Sequence, residues 1–259
     1  MDGLTRVGRL VFAAAMLCFG ALYLGYASGL DVVVPGPPWS AESHAVVWLA
    51  GIGFIAVGVC IALRWQGQLA ATLLGLVLLL RVLFAFFPRM VAHIHDPGPW
   101  TSAFEILAMS GAALVLAAML PVWGTNLGPA QQKVHEVLSE VGRYMFAISL
   151  IIFAVQHFMY ATFVATLVPA WIPGHLFWAY FVGVAFIAAA LSIAANKGAR
   201  LAGIMLGTMF LLWVVLLHAP RVAASPRNGN EWTSEFVALA MCGASFVMAG
   251  AMSRDGKPA

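Results

Sequence analysis

The sequence predicts an all-α membrane protein in which eight transmembrane helices form two parallel four-helix repeats, related by a pseudo-two-fold axis along the membrane normal. Of the 259 residues, 63% are apolar and only 9% are charged, against about 25% charged residues in an ordinary soluble domain. Apolar runs near the roughly 20 residues that cross a bilayer follow one another along the chain. A segment of the first half also returns in the second half.

The apolar runs are typical of helices rather than of barrel strands. Residues 69–83 are apolar on every face, whereas a strand in a lipid-embedded barrel would alternate. The first run resembles a signal peptide, but its Val7-Gly8-Arg9 start returns in mid-chain as Val141-Gly142-Arg143, so we expect it to stay in the mature protein. The predicted spans are 7–26, 44–63, 68–88, 101–121, 139–161, 175–195, 200–218 and 232–252.

A tandem duplication accounts for the second half of the chain. The segment Trp100–Ala112 returns as Trp232–Ala244, and the same shift along the chain aligns Pro88-Arg89 with Pro220-Arg221. We therefore divide the chain into repeats at 1–128 and 129–259. Because each repeat has an even number of spans, both enter the membrane in the same orientation, and we expect each to be a four-helix bundle.

Lysine and arginine gather at one set of span ends, which the positive-inside rule assigns to the cytoplasm. The residues at these ends are Arg6, Arg9, Arg64, Lys133, Arg143, Lys197, Arg200, Arg254 and Lys257. Both termini should then be cytoplasmic. The net charge of +3 reflects this bias and indicates no nucleic-acid partner.

Histidine shows the opposite asymmetry, because six of the seven lie at the predicted outer ends of spans. They are His44, His93, His95, His157, His175 and His218. Imidazoles exchange protons near neutral pH, and we expect an outer-face pocket formed by His157, His175, His218, Arg221 and Glu235. An alternative is a haem held by His157 and His218, although Phe86 takes the place of His218 in the first half.

Two further polar groups are candidates for function. Arg81 and Glu105 fall at similar depth in neighbouring antiparallel spans, so we expect an ion pair inside the membrane. Whether that pair fixes helix packing or lines a polar pocket stays open. The spacing of His93 and His95 suits copper or zinc, and a solvated loop is the alternative.

Four segments of the second half resemble the DoxX-like family of four-helix membrane proteins. They are Gln156-His157-Phe158, residues 168–173, Trp178-Ala179-Tyr180 and Leu217-His218-Ala219-Pro220-Arg221. The resemblance covers 139–253, and 5–122 through the internal repeat. By position, His157, Pro169, His218, Pro220 and Arg221 match the family pattern, whereas the first half keeps only Pro88 and Arg89.

The resemblance implies redox metabolism in a bacterial membrane. DoxX-like proteins include a subunit associated with a thiosulfate:quinone oxidoreductase and a membrane partner of thiol-handling proteins. The first hypothesis is thus a bacterial inner-membrane component of quinone-linked redox metabolism, with quinone as the expected cofactor and haem or copper as less favoured ones. Its partners would be the lipid bilayer and other membrane or redox-complex subunits.

Two other functions stay open. The sequence predicts no domain outside the membrane and contains no established cofactor motif, which also suits a non-catalytic scaffold or assembly subunit of a larger membrane complex. A small-solute transporter is the third hypothesis; Arg81, Glu105 and the outer histidines would line its path, but the inner half offers few polar groups to continue it.

Overall fold

A computed structural model of the chain describes residues 3–25, 44–121 and 128–252. Eight helical spans in these ranges are long and apolar enough to cross a membrane, which confirms the predicted number. The helices are α1 (Gly3–Gly25), α2 (His44–Leu63), α3 (Gly67–Arg81), α4 (Phe87–Ala92), α5 (Pro97–Met119), α6 (Pro129–Met159), α7 (Ala161–Leu167), α8 (His175–Ala195), α9 (Ala199–Trp213), α10 (Ala219–Ala224) and α11 (Gly229–Ala251). Arg254 and Lys257, which contributed to the predicted topology, lie outside the described residues.

Two spans contain a π-helical segment just before a proline. Val82–Phe86 joins α3 to α4, and Val214–His218 joins α9 to α10. Pro88 and Pro220 follow directly; a proline has no N–H to donate, and its ring collides with the carbonyl four residues earlier. The wider π turn relieves this collision, since the amide of Phe87 reaches back five residues to the Val82 carbonyl.

The turns between α2 and α3 and between α8 and α9 are short and use matching conformations. Arg64 and Gln66 have positive φ angles of 61° and 50° between α2 and α3, and Asn196 and Gly198 have 52° and 65° between α8 and α9. At the other end of the molecule, Asp96 caps α5 because its Oδ1 accepts from the Gly98 amide at 3.0 Å. Asn228 caps α11 in the same way, with the Asn230 amide as donor. These caps satisfy amides that a helix start leaves unpaired.

The core lies between α5 and α11, which pack against each other and are the most buried spans. On one side of this pair, α1 packs against α11 and α2, and α3 packs against α5. On the other side, α6 packs against α5 and α8, and α9 packs against α11. The last span of each half therefore packs against the first span of the other half. This corrects the expectation that each half forms a self-contained four-helix bundle.

Glycines let the helix backbones approach where the halves meet. A Cβ added to Gly111 of α5 would collide with the carbonyl oxygen of Gly142 in α6. A Cβ on Gly243 of α11 would collide with the backbone of Phe12 in α1, opposite Gly8. Lipid supplies no hydrophobic drive between helices, so close packing of this kind stabilises the contact.

The end of the bundle where α1 and α6 end and α2, α5, α8 and α11 begin is called the histidine end below, since six histidines lie there. The opposite end is called the basic end. Arg9, only 6% exposed, lies near the basic end and donates from Nη1 to the Ile61 carbonyl at 2.6 Å and to the Ala62 carbonyl. A buried guanidinium thereby satisfies the last carbonyls of α2 and complements its dipole.

Candidate functional site

The five residues predicted to form an outer pocket all lie at the histidine end, and the structure brings two of them together, because His218 is close enough to Arg221 to interact with it electrostatically. His157 lies in the last turn of α6, His175 begins α8, His218 ends a π segment, Arg221 lies in α10 and Glu235 lies in α11. Within the described residues no hydrogen bond or ion pair joins any two of them. The candidate site therefore divides into an aromatic cluster, an ion pair and a cleft.

The aromatic cluster surrounds His157. Its ring stacks on Trp213 with centroids 6.3 Å apart and meets the edge of Phe186 at 5.3 Å. The Nδ1 of His157 lies 2.8 Å from the Phe153 carbonyl, which accepts the imidazole proton. Phe210 closes the cluster against Trp213 at 5.3 Å. This histidine is held by its own helix and by apolar rings.

The first half has a comparable cluster with different polar groups. Tyr23 of α1 stacks on Phe54 of α2 at 5.7 Å. Tyr23 and Arg81 are close enough to interact electrostatically. Tyr23 is only 2% exposed, and its hydroxyl has no hydrogen-bond partner in the structure.

The ion pair at the histidine end joins α10 to α11. The Nη2 of Arg221 donates to Oε1 of Glu231 at 3.0 Å, and its Nε lies 3.0 Å from Oε2. Glu231 and not Glu235 is thus the partner of Arg221. Glu231 lies just before the predicted span, which begins at residue 232, so hydropathy did not point to it. Its place in the first turn of α11 favours an acidic residue.

Glu235 faces a cleft of ≈ 410 Å³ between α10 and α11. The lining residues are Ala219, Val222, Ala223, Pro226, Trp232 and Glu235. Oε2 of Glu235 is shielded from solvent and has no hydrogen-bond partner in the structure. Trp232 Nε1 donates to the Pro226 carbonyl at 2.9 Å, so the indole presents a ring and not a donor to a ligand.

A second cleft of ≈ 260 Å³ lies on the other side of Trp232. Residues of α1, including Cys18 and Leu22, line it together with Trp232 and Phe236 of α11. The two clefts thus share one indole, and the second opens between the two halves. Cys18, Cys60 and Cys242 are free thiols.

The ion pair expected between Arg81 and Glu105 is not among the salt bridges that join described residues. Those salt bridges are Arg143 with Glu140 and Arg221 with Glu231. Similar depth in two antiparallel helices does not fix the direction in which each side chain points. Glu105 follows Thr101 by one turn, and Thr101 donates to Gln156 Oε1 at 3.1 Å across the contact of α5 with α6.

The candidate metal ligands lie at the surface of the same end. His93 caps the C-terminus of α4, and both His93 and His95 are exposed. Asp96, the neighbouring carboxylate, accepts from the Gly98 amide. In the ranges that the structure describes, no group of three or more His, Cys, Asp or Glu side chains is arranged to hold a metal ion.

Comparison of the chain with protein-family models, with curated proteins and with solved structures gives no match. The DoxX-like resemblance therefore stays an expectation that depends on the motifs quoted above. The assignment of function depends on the contacts of this chain's own residues.

Proposed function

We propose that the chain is a tandem repeat of one four-helix unit in the inner membrane of a bacterium, with the histidine end outside and both termini in the cytoplasm. Corresponding helices support the repeat, because the shift that aligns the duplicated segments also aligns both ends of α3 with those of α9, and both ends of α5 with those of α11. The contact of α1 with α11 has its counterpart in the contact of α6 with α5. A pseudo-two-fold axis between α5 and α11 would relate the two sets.

The function that this geometry supports best is a membrane component of quinone-linked redox metabolism. The observation that carries it is the cleft beside Glu235, which combines apolar walls, an indole ring and a carboxyl group whose Oε2 has no hydrogen-bond partner. Ligand sites for small apolar molecules have this composition, with few polar groups that fix orientation. The DoxX-like resemblance points to the same chemistry.

The residues of the cleft fit a quinone headgroup. The ring of Trp232 offers a flat apolar surface, and its N–H is already bonded to Pro226. The carboxyl of Glu235 would bond a headgroup oxygen and exchange its proton. Arg221 is held by Glu231 beside this cleft, which fixes α10 relative to α11. A bound quinone would supply the electron transfer, and these side chains would bind and orient it.

Solvent extraction of the purified protein tests the proposal. We expect quinone to co-purify, and Glu235→Gln to lower its occupancy roughly tenfold, the loss expected for one hydrogen bond to a charged group. Glu140→Gln is the matched control, because Glu140 is exposed at the basic end and contacts only Arg143 at 3.8 Å among its described neighbours. The proposal would be contradicted if no quinone co-purified and if membranes containing Glu235→Gln oxidised quinol as fast as membranes containing the parent chain.

A non-catalytic assembly subunit is the second candidate, and the surface of α8 favours it. Large aromatic side chains cover its first turns: Phe177, Trp178, Tyr180 and Phe181 are each at least 39% exposed. Such a surface anchors a helix at the membrane interface and also suits a partner subunit. Tagging the chain at native expression checks this, since migration as a free protein would exclude a stable partner.

A further inference from the structure

Three arginines of the first half gather at the basic end, where α2 ends. Arg9 of α1 is buried and donates to the Ile61 and Ala62 carbonyls. Arg6, one turn earlier in α1, and Arg64, in the turn after α2, are both close enough to Arg9 to interact with it electrostatically. Arg6 and Arg64 are exposed. These three residues are called the arginine cluster below, and their like charges repel one another unless an anion lies among them.

No carboxylate of the described residues neutralises the arginine cluster. The ion pairs that join described residues are Arg143 with Glu140 and Arg221 with Glu231, so none of the three arginines takes part in one. The Nε of Arg9 is shielded from solvent and has no hydrogen-bond partner in the part of the chain that the structure describes. A guanidinium carries five N–H donors in a planar fork that suits carboxylates and phosphates. The cluster therefore offers charge and donors to an anion from outside the chain.

The second half has no such cluster at the aligned positions. Glu140 and Arg143 take the places of the two helix residues and lie 3.8 Å apart as an ion pair, and Asn196 takes the place of Arg64 in the turn. These aligned residues carry no net charge, whereas the arginine cluster carries three positive charges. Both turn residues have a positive φ angle, which asparagine adopts more readily than arginine. Turn geometry therefore does not explain an arginine at this position.

The surroundings of the arginine cluster are those of a lipid headgroup. Trp65, next to Arg64, is 60% exposed, and tryptophan side chains favour the interface between hydrocarbon and water. Apolar side chains beside the cluster are exposed on both helices: Val7 and Leu10 on α1, and Leu63 at the end of α2. An anion with apolar chains attached would contact the arginines and these side chains together, which a free anion cannot do.

We propose that the arginine cluster binds the phosphate of an anionic phospholipid, whose headgroup has no ammonium group to neutralise it. Arg6 and Arg64 contact the phosphate oxygens from the exposed side, and Arg9 adds its charge from the buried side. The acyl chains lie along the exposed apolar residues of α1 and α2. The bound lipid thus joins the start of α1 to the turn after α2. The proposal does not depend on quinone binding, which is assigned to the opposite end of the molecule.

Native mass spectrometry of the detergent-solubilised chain, titrated with lipids of matched acyl chains, tests the site. Phosphatidylglycerol should bind roughly tenfold more tightly than phosphatidylcholine, and Arg64→Gln should weaken its binding roughly fivefold, the loss expected for one basic residue at a membrane surface. Lys197→Gln is the matched control, because Lys197 is exposed in the corresponding turn of the second half. Equal binding of the two lipids, or an equal loss in Lys197→Gln, would overturn the proposal.

A charge reversal separates lipid binding from folding. Arg6→Glu gives α1 the residue type that α6 has at the aligned position, Glu140, so the new carboxylate should pair with Arg9 and the chain should fold as the parent does. Its binding of phosphatidylglycerol should nevertheless fall roughly 20-fold, because a negative charge replaces a positive one. Unchanged binding in this variant would refute the site.

Inorganic phosphate distinguishes the two sources of a phosphate group. In large excess it should leave phosphatidylglycerol bound, because it lacks the acyl chains that contact α1 and α2. Displacement of the lipid by inorganic phosphate would show that the arginine cluster takes the free anion, and the proposal of a lipid site would then be wrong.

Discussion

At the histidine end, the first half of the chain places Tyr23 beside Arg81, whereas the second half places His157 against Trp213. Both rings pack on a phenylalanine of the following span, Phe54 or Phe186. The interval along the chain from Tyr23 to His157 equals that from Gly8 to Gly142. The aromatic packing is thus retained while the polar group differs. The aromatic packing and the polar groups can therefore differ independently, and each can be tested without the other.

The halves also differ in their polar contacts at the histidine end. Arg221 holds Glu231 in the second half, whereas Pro99 occupies the aligned position in the first half and leaves Arg89 without an equivalent carboxylate. Near the basic end the difference is reversed, because Arg9 is buried on the carbonyls of α2, while Arg143 contacts Glu140 and the ring of Tyr144. Among the described residues, each half therefore makes a polar contact that the aligned residues of the other half do not make.

The largest effect is expected where both halves share a backbone contact. Gly111→Leu and Gly243→Leu should each lower the free energy of unfolding by about 3 kcal/mol, since the new side chain meets backbone atoms of a neighbouring helix. Reversible unfolding in mixed detergent–SDS micelles measures this. Gly53→Leu is the control, because a Cβ there has nothing within 4 Å. Strongly unequal losses at the two crossings would break the proposed equivalence of the halves.

Arg9→Met should be nearly as destabilising, and it should distinguish Arg9 from Arg143, the arginine at the corresponding position of the second half. The change leaves the Ile61 and Ala62 carbonyls without a charged donor, which costs about 2–3 kcal/mol of unfolding free energy. Arg143→Met should cost less, about 0.5 kcal/mol, because the contact of Arg143 with Glu140 is long, at 3.8 Å, and the Glu140 side chain is exposed. Similar losses for both variants in the same titration would show that the two arginines are equivalent after all.

Removing the ion pair of the second half should have an intermediate effect. Arg221→Ala is expected to cost about 1 kcal/mol, since two nitrogens contact the Glu231 carboxylate in a partly exposed site. Arg89→Ala should leave the unfolding free energy unchanged. Hydrogen exchange at the start of α11 provides a local readout, and unchanged exchange in Arg221→Ala would show that the pair does not tie α10 to α11.

Substitutions in the two aromatic clusters should change the stability of the protein in opposite directions. Tyr23→Phe removes a buried hydroxyl that has no partner, so it should stabilise the protein by up to about 1 kcal/mol. His157→Phe removes the bond to the Phe153 carbonyl and should destabilise by about 1 kcal/mol. Thermal unfolding of the two variants side by side measures both signs. A loss of stability in Tyr23→Phe would mean that the hydroxyl binds a group in the membrane-embedded protein.

The smallest change in stability is expected in the turn between α2 and α3 and in its counterpart between α8 and α9. Gln66→Gly should stabilise by about 0.5 kcal/mol, because φ of 50° strains a residue with a Cβ and Gly198 already occupies the corresponding turn. Gly198→Gln should destabilise by a similar amount. Chemical unfolding of both variants measures these changes in stability. Changes in the same direction would show that the two turns are held by different contacts.

Hydropathy predicted the spans because lipid demands apolar residues whatever the fold. Residues 44–63 and 175–195 coincide with α2 and α8. The span predicted at 139–161 overlaps α6, but the helix itself begins ten residues earlier, at Pro129. A helix can continue beyond a strongly apolar run as long as its hydrogen bonds and packing support it, and the contact of His135 with Ala118 gives such support. Hydropathy contains no information on that contact.

The candidate site was predicted less well than the spans. Their positions near the ends of predicted spans correctly indicated that His157, His218 and Arg221 lie at one end of the bundle. The partner of Arg221 and the direction of Glu105 depended on side-chain orientation, which span positions do not specify. The cleft beside Glu235 likewise depends on how α10 meets α11 after the π turn, because only their relative position leaves space there.

By itself, the sequence determined the number of membrane-spanning helices, the ends at which histidine and basic residues gather, and the places of the two prolines that disturb spans. These follow from composition and local geometry, which act on each segment separately. Only the tertiary structure decided that the last span of each half packs against the first span of the other, and that Arg221 pairs with Glu231 at one end of the bundle. Such contacts can join residues from opposite ends of the chain, as Gly8 and Gly243 do, and no local pattern specifies which of many apolar faces will meet.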